Sequence, residues 1–481
     1  MKKLTNGCVN LVNRFLPDPF IFCVFLTIIV FIFAIPVTGA TPLQLVNAWG
    51  TGVWNLLSFA MQMVLVLVLG NAFATAPLIS KAIKAIARTA KTPFSAILIV
   101  TAISTICCFV NWGFGLVVGA LLAKEVAKQL DGVDYRLIIA GAYSGFVVWH
   151  AGISGSIPLA LNTKGETLAS VTGGAVAADA PISTAETIFS PWNLLICLAI
   201  LIVIPVFLAK IHPSPEETVK IDPALLKDDE TEFPKGTTPA EKIENSIILN
   251  AIVGIAGVVY LVLYFAKAGL DGLNLNTVNF IFLILGIIFH MTPKRYVHAI
   301  AEATKGAAGI IIQFPFYAGI QALMVYKLTN PDGSAIEGAQ SLAIVISNFF
   351  VSISNTVTFP VFTFLAAGVV NFFVPSGGGQ WTVQGPIMMP AGLKLGVKPA
   401  VTGMSIAWGD AWTNMIQPFW ALPALGIAGL SARDIMGFCV LTLLISGVII
   451  AIGFILVGAL GISAVAAAGE GAATLLGVFA V

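Results

Sequence analysis

Apolar runs of membrane-crossing length recur along nearly the whole chain, and they settle which solvent it folds in. A hydrocarbon core of roughly 30 Å takes about 17 to 25 apolar residues per helix. Such runs cover Phe20 to Val37, Asn55 to Ala76, Phe94 to Val110, Leu116 to Ala127, Leu137 to Leu161, Trp192 to Ala209, Ile247 to Ala266 and Val278 to Met291. The second half adds Ala307 to Tyr326, Ile344 to Val374, Thr382 to Leu395, Ala400 to Leu425 and Ile435 to Ile462. Charged residues are 10% of the chain, against roughly 25% in soluble domains. The expected class is an all-α polytopic membrane protein.

The net charge of +1 removes the basic surplus that marks nucleic-acid binders, so no nucleic-acid partner is expected. Met1 to Asp18 has the charged flank of a signal peptide, but Phe20 to Val37 is long and lacks a small-residue cleavage site, so it reads as a retained first span. The six cysteines show no metal-ligand spacing and read as buried thiols, with no cofactor implied. Lys210 to Glu244 carries five lysines and nine acidic residues without an apolar period, the signature of a solvated linker. It divides the chain into a first half (1–209), a linker (210–245) and a second half (246–481).

Basic loops stay on the cytoplasmic side. If Phe94 to Val110 with Leu116 to Ala127, and the segment around Ser376, are re-entrant hairpins, 19 of the 24 basic residues fall on that side, with the N-terminus. This arrangement has nine full spans and two hairpins, and it turns the second half upside down relative to the first. Internal similarity agrees: a shift of 264 positions aligns Gly113 and Gly115 with Gly377 and Gly379, Gly132 with Gly396 and Gly145 with Gly409.

Each half has a glycine-rich break, Asn111-Trp112-Gly113-Phe114-Gly115 in the first and Pro375-Ser376-Gly377-Gly378-Gly379-Gln380 in the second. Consecutive glycines cost about 1 kcal/mol each in a helix, and exposed backbone in lipid is worse, so these segments lie in protein or line a wet cavity. Free amides at half-helix N-termini suit a small anion. Neither break carries Arg or Lys, which favours a monocarboxylate over a dicarboxylate. After each hairpin comes a span that also loses helical character, through Trp149-His150 to Ser154 and through Asp410-Ala411-Trp412-Thr413-Asn414 to Gln417. Asp410 is the one carboxylate placed inside a span, and an intramembrane acid is a functional candidate. It and His150, Thr413 and Asn414 are candidates for a proton or cation site, with Ser154 and Gln417 as secondary ones. Trp112, Trp149 and Trp412 are candidates for walling a short alkyl chain. Close helix packing explains the glycines otherwise, and interfacial belts explain the tryptophans.

The run Val374-Pro375-Ser376-Gly377-Gly378-Gly379-Gln380-Trp381-Thr382-Val383-Gln384-Gly385-Pro386, the Pro17-Asp18-Pro19-Phe20 entry and Asn111-Trp112-Gly113 resemble the bacterial short-chain fatty acid transporters, the acetoacetate and butyrate permeases. The resemblance covers nearly the whole chain. It implies a bacterial inner-membrane carrier of small monocarboxylates, coupled to H+ or Na+ and working by elevator-like alternating access, with a homodimer among lipids as the expected setting. Members of the wider superfamily place Ser-Asn-Thr at hairpin tips. Here Ser354-Asn355-Thr356 lies about 20 residues before Ser376, which leaves two positions open for the second tip. Carriers of other anions, cation antiporters, a channel and a membrane-embedded enzyme are the competing classes. The polar set shows no catalytic constellation that would favour an enzyme.

Overall fold

The computed structural model describes residues 19–465, apart from 56, 223–232, 234–235, 274, 331–333, 335, 337 and 376. In chain order its helices are α1 (Pro19–Thr38), α2 (Pro42–Gly52), α3 (Leu57–Ala74), α4 (Pro77–Ala87), α5 (Pro93–Val110), α6 (Trp112–Gln129) and α7 (Tyr135–Ser144). Next come α8 (Ser156–Leu161), α9 (Glu166–Val171), α10 (Pro191–Lys210), α11 (Pro239–Glu244), α12 (Ile247–Ala268), α13 (Leu275–His290) and α14 (Pro293–Lys305). The chain continues through α15 (Ala308–Val325), α16 (Leu342–Ser352), α17 (Phe359–Phe373), α18 (Gly377–Lys394), α19 (Pro399–Thr413), α20 (Pro418–Ala428) and α21 (Ala432–Ala459). Proline opens α2, α4, α5, α10, α14, α19 and α20, where its missing N–H would have had no intrahelical partner.

Among the described residues, five helical stretches are long and apolar enough to cross a membrane: Pro93–Val110, Tyr135–Leu161, Pro191–Lys210, Pro239–Ala268 and Ala432–Ala459. The pair Ala60–Ala74 and Pro77–Ala87, bent by 71°, would make a sixth. That is fewer than the nine full spans expected, because several apolar runs are interrupted. Ile344 to Val374 is divided between α16 and α17, where Asn355 Oδ1 accepts from the Val357 and Thr358 N–H groups at 2.9 and 3.0 Å. Ala400 to Leu425 is divided at Gln417, which the following Pro418 holds in an extended conformation (φ −87°, ψ 109°).

Two antiparallel helical hairpins organise the interior. In the first, α5 and α6 are joined at Asn111, whose extended backbone (φ −153°, ψ 122°) ends one helix while its side chain caps the next. A Cβ on Gly119 would lie 2.6 Å from Ser104 Oγ, so small residues let the two arms touch. In the second, α17 and α18 meet through Gln380 Nε2 donating to the Ala367 carbonyl at 2.8 Å, and a Cβ on Gly392 would sit 2.9 Å from the Phe359 ring. α17 ends at Phe373 and α18 begins at Gly377, so this hairpin joins its arms well after Asn355, which precedes α17. Shifting the starts of α5, α6 and α7 by 264 positions brings them within two residues of the starts of α17, α18 and α19.

Burial places the working centre. The most apolar 18-residue window of Tyr135–Leu161 is 94% buried, whereas that of Pro239–Ala268 is 17% buried and runs along the periphery. The first residues of the linker are bonded to the membrane part. Asp134 Oδ2 accepts from Val219 N–H and Arg136 Nη2, both at 2.9 Å, and Asp134 N–H donates to His212 Nε2 at 3.0 Å. These bonds strap residues 212–219 to the start of α7. The described cysteines Cys23, Cys107, Cys108, Cys197 and Cys439 are free, and Cys8 lies outside the described residues.

Candidate functional site

Past Ser144 the chain tightens into a 3₁₀ segment, Gly145–Ala151, and then breaks at Gly152, where the first hairpin tip docks. Ile153 N–H donates to the Phe109 carbonyl at 2.7 Å, and Trp112 N–H donates to Ser154 Oγ at 3.1 Å. Backbone freed by the break is thus satisfied by protein, as a lipid setting requires. The seam closes because residue 152 has no side chain: a Cβ there would overlap the Phe109 carbonyl. Gly152→Ala should lower stability by about 1–3 kcal/mol through overpacking, read as a fall in thermal unfolding temperature. An unchanged temperature would contradict so tight a seam.

The second tip arrives on the other side of the same segment. A Cβ on Gly377 would lie 2.5 Å from His150 Cε1 and 2.5 Å from Ser156 Oγ. Trp420, on α20, joins the two tips: its Nε1 donates to the Pro375 carbonyl at 3.1 Å, and its ring stands at 85° to Trp112 with centroids 5.3 Å apart. Trp149 stacks on His150 at 4.2 Å and meets Trp112 at 6.2 Å. The tips converge on His150.

His150 and Asp410 are both fully buried, with Nδ1 2.7 Å from Asp410 Oδ2. Ile157 N–H donates to His150 Nε2 at 3.0 Å, so that nitrogen presents a lone pair. The ring proton is therefore on Nδ1 and donates to Asp410. Asp410 also accepts from Asn371 Nδ2, in a short bond, and from Asn414 Nδ2 at 3.3 Å. Thr413 Oγ1 donates to Asn371 Oδ1 at 2.9 Å, which fixes that amide's orientation. Every partner of Asp410 thus offers it a hydrogen. Burying a carboxyl group is costly without such partners; among the described residues it is held by these hydrogen bonds, with no cationic side chain bonded to it.

The surrounding broken ends are also capped. Gln417 Nε2 donates to the Phe372 carbonyl at 2.9 Å, Tyr143 Oη to the Asn414 carbonyl at 2.6 Å, and Asn193 Nδ2 to the Ala151 carbonyl at 3.1 Å. Several buried polar atoms have no partner among the described residues. They are the donors Asn111 Nδ2, Trp112 Nε1 and Trp149 Nε1, and the acceptors Gln380 Oε1, Asn414 Oδ1 and Gln417 Oε1. Idle buried polar atoms are rare enough to call for an explanation.

The structure gathers Asn111, Trp112, Trp149, His150, Ser154, Gly377, Asp410, Thr413, Asn414 and Gln417 around this centre. Gln380 lies one turn back along the hairpin, bonded to Gln384 at 2.7 Å. Other candidates lie elsewhere. Gly113 packs on the Val66 carbonyl, where a Cβ would come to 2.6 Å, and Gly115 packs on Cys108 in the facing arm. The Gly379 carbonyl accepts from Gln321 on α15 at 3.0 Å, and Gly378 is half-buried. Trp412 points away, its Nε1 donating to Leu443 at 2.7 Å and its ring 4.8 Å from Phe364. Ser354, Asn355 and Thr356 form the outer turn before α17, with Asn355 and Thr356 exposed, because Asn355 caps that turn. Ser376 lies outside the described residues. Sequence reading passed over Asn371, Tyr143 and Asn193; an amide within an otherwise apolar run, as at Asn371 and Asn193, was the available signal.

Helices that break inside a membrane protein and bring their ends to a buried charge are how secondary transporters build their sites. The chain is a multi-pass secondary transporter. It belongs to the short chain fatty acid transporter family, whose pattern it matches over residues 1–457. A putative short-chain fatty acid transporter of Escherichia coli (strain K12) is 43% identical over 94% of this chain and 99% of its own length. One from Haemophilus influenzae is 45% identical over 94% and 99%. The crystal structure of the Alcanivorax borkumensis YdaH transporter covers 93% of this chain and 98% of its own, at 16% identity and a TM-score of 0.47.

Proposed function

We propose that the chain carries short monocarboxylates such as butyrate and acetoacetate across the inner membrane by alternating access, coupled to a cation gradient. The observation that carries this reading is the convergence of both hairpin tips on the buried His150–Asp410 pair, flanked by idle donors. The substrate carboxylate is received by Asn111 Nδ2 and the indole N–H groups of Trp112 and Trp149, with Phe146 and Trp420 beside its alkyl tail. The tryptophans thus bind by their N–H groups as well as their faces, and Trp412 has no part. Asp410, Asn371, Thr413, Asn414 and His150 form the ion-coupling site. The recurrence of the hairpins at a spacing of 264 residues supports two inverted repeats with re-entrant hairpins, and the placement of the basic residues supports a cytoplasmic N-terminus.

A site with hydrogen-bond donors but no cationic side chain favours one negative charge on the substrate. Purified protein in proteoliposomes should take up labelled butyrate saturably under an imposed ion gradient, with acetoacetate competing and succinate and gluconate ineffective. Strong competition by succinate would replace the substrate class, and no saturable uptake under either a proton or a sodium gradient would overturn the reading.

A further inference from the structure

The Nε2 atom of His150 has a place in the fold that its Nδ1 partner does not explain. It lies 3.0 Å from the Ile157 amide nitrogen and 3.0 Å from Ser156 Oγ, at the first turn of α8, and Gly377 of the second hairpin abuts the same ring edge and the same hydroxyl. Three pieces of backbone are thus held against one lone pair: the 3₁₀ segment, the start of α8 and the hairpin tip. An imidazole nitrogen that gains a proton changes from acceptor to donor, and it can then no longer accept from Ile157 N–H.

The charged surroundings are sparse. Asp410 on α19 is the charged side chain that meets the ring. The other helices packed on the 3₁₀ segment carry their charges at far ends: Lys124, Glu125 and Lys128 on α6, Arg136 on α7 and Lys210 on α10. Cys107, Cys108, Cys197, Tyr135 and Tyr143 are the remaining titratable groups on those helices, and Tyr143 is engaged with the Asn414 carbonyl.

Resting on the transport reading above, we propose that His150 Nε2 carries the coupled proton and that its protonation moves the ring's hold on α8 from the Ile157 amide to the Ser156 hydroxyl, the group against which the second hairpin tip packs. A proton from water on the open side bonds to the Nε2 lone pair and the Ile157 N–H···Nε2 bond breaks. The new Nε2–H turns to Ser156 Oγ, while Nδ1–H stays on Asp410. With Asp410 a carboxylate throughout, the cluster passes from one negative charge to none, which removes the repulsion against an entering carboxylate and orders the cycle as proton first, anion second. Loss of the proton to the other side restores the lone pair and the latch.

Two measurements test this. In proteoliposomes, the half-saturation of wild-type butyrate counterflow should fall as the pH is lowered, because proton binding precedes the anion, whereas in His150→Gln it should be high and unmoved by pH. A wild-type half-saturation indifferent to pH, or a pH dependence that survives in His150→Gln, would overturn the assignment, as would wild-type accumulation driven by sodium and indifferent to the proton gradient. On the unaltered protein, 15N NMR of labelled histidine should show His150 with its proton on Nδ1 at high pH, and butyrate should raise its titration midpoint by linkage. A proton found on Nε2 at high pH would overturn the latch without any variant. If the wild-type protein neither exchanges nor accumulates a monocarboxylate, the transport reading fails instead, and the tautomer still decides the latch.

Discussion

Asp410→Ala should abolish gradient-driven uptake and cost the protein much of its stability. The carboxylate accepts from His150 Nδ1, Asn371 Nδ2 and Asn414 Nδ2, all at a fully buried position. Removing it leaves three donors without an acceptor, at about 1–3 kcal/mol each, a large share of the roughly 5–15 kcal/mol that holds an ordinary domain together. Asp410→Asn separates the two effects. Its amide keeps the volume and one acceptor oxygen, so the unfolding temperature falls less, yet without the charge the cluster has nothing to neutralise and accumulation still stops. Wild-type accumulation by Asp410→Asn would remove Asp410 from the coupling site.

Much of the architecture was legible because its causes are local. The capping Asn111 and the extended conformation before Pro418 act within a few residues, so the first hairpin and the break after the second could be placed from the chain alone, whereas the tip of the second stayed open between Asn355 and Ser376. The 264-residue spacing was visible for the same reason: Gly132 and Gly396 both take a positive φ (87° and 74°) at a turn, and Gly145 and Gly409 both face the backbone of the neighbouring hairpin arm, whereas Gly113 and Gly377 meet different neighbours. Partners chosen by three-dimensional packing were not legible. Asn371 lies 39 residues from Asp410 on another helix, and nothing near it in sequence distinguishes a site amide from a capping one. Trp412 and Trp149 look alike as residues beside a break, yet one indole N–H is spent on Leu443 and the other is idle. The Ser-Asn-Thr motif misled for a related reason. Asn355 does cap a turn, but it is the outer turn between α16 and α17, and only the packing shows which turn faces the centre.

The central claim is that the first tip receives the carboxylate through donors the protein leaves idle. Phenylalanine in place of Trp112 or Trp149 keeps an aromatic ring in the buried stack and deletes the N–H alone. A hydrogen bond to a charged group is worth about 1.5–3 kcal/mol, so each change should weaken apparent butyrate affinity by roughly ten- to a hundredfold. Trp412→Phe, which loses a bond to Leu443 away from the tips, should leave that affinity unaltered. The direct measurement is the concentration dependence of labelled butyrate uptake by proteoliposomes bearing each variant. The account predicts half-saturation displaced upward for Trp112→Phe and Trp149→Phe and unmoved for Trp412→Phe; half-saturation at the wild-type value in the first two would contradict it.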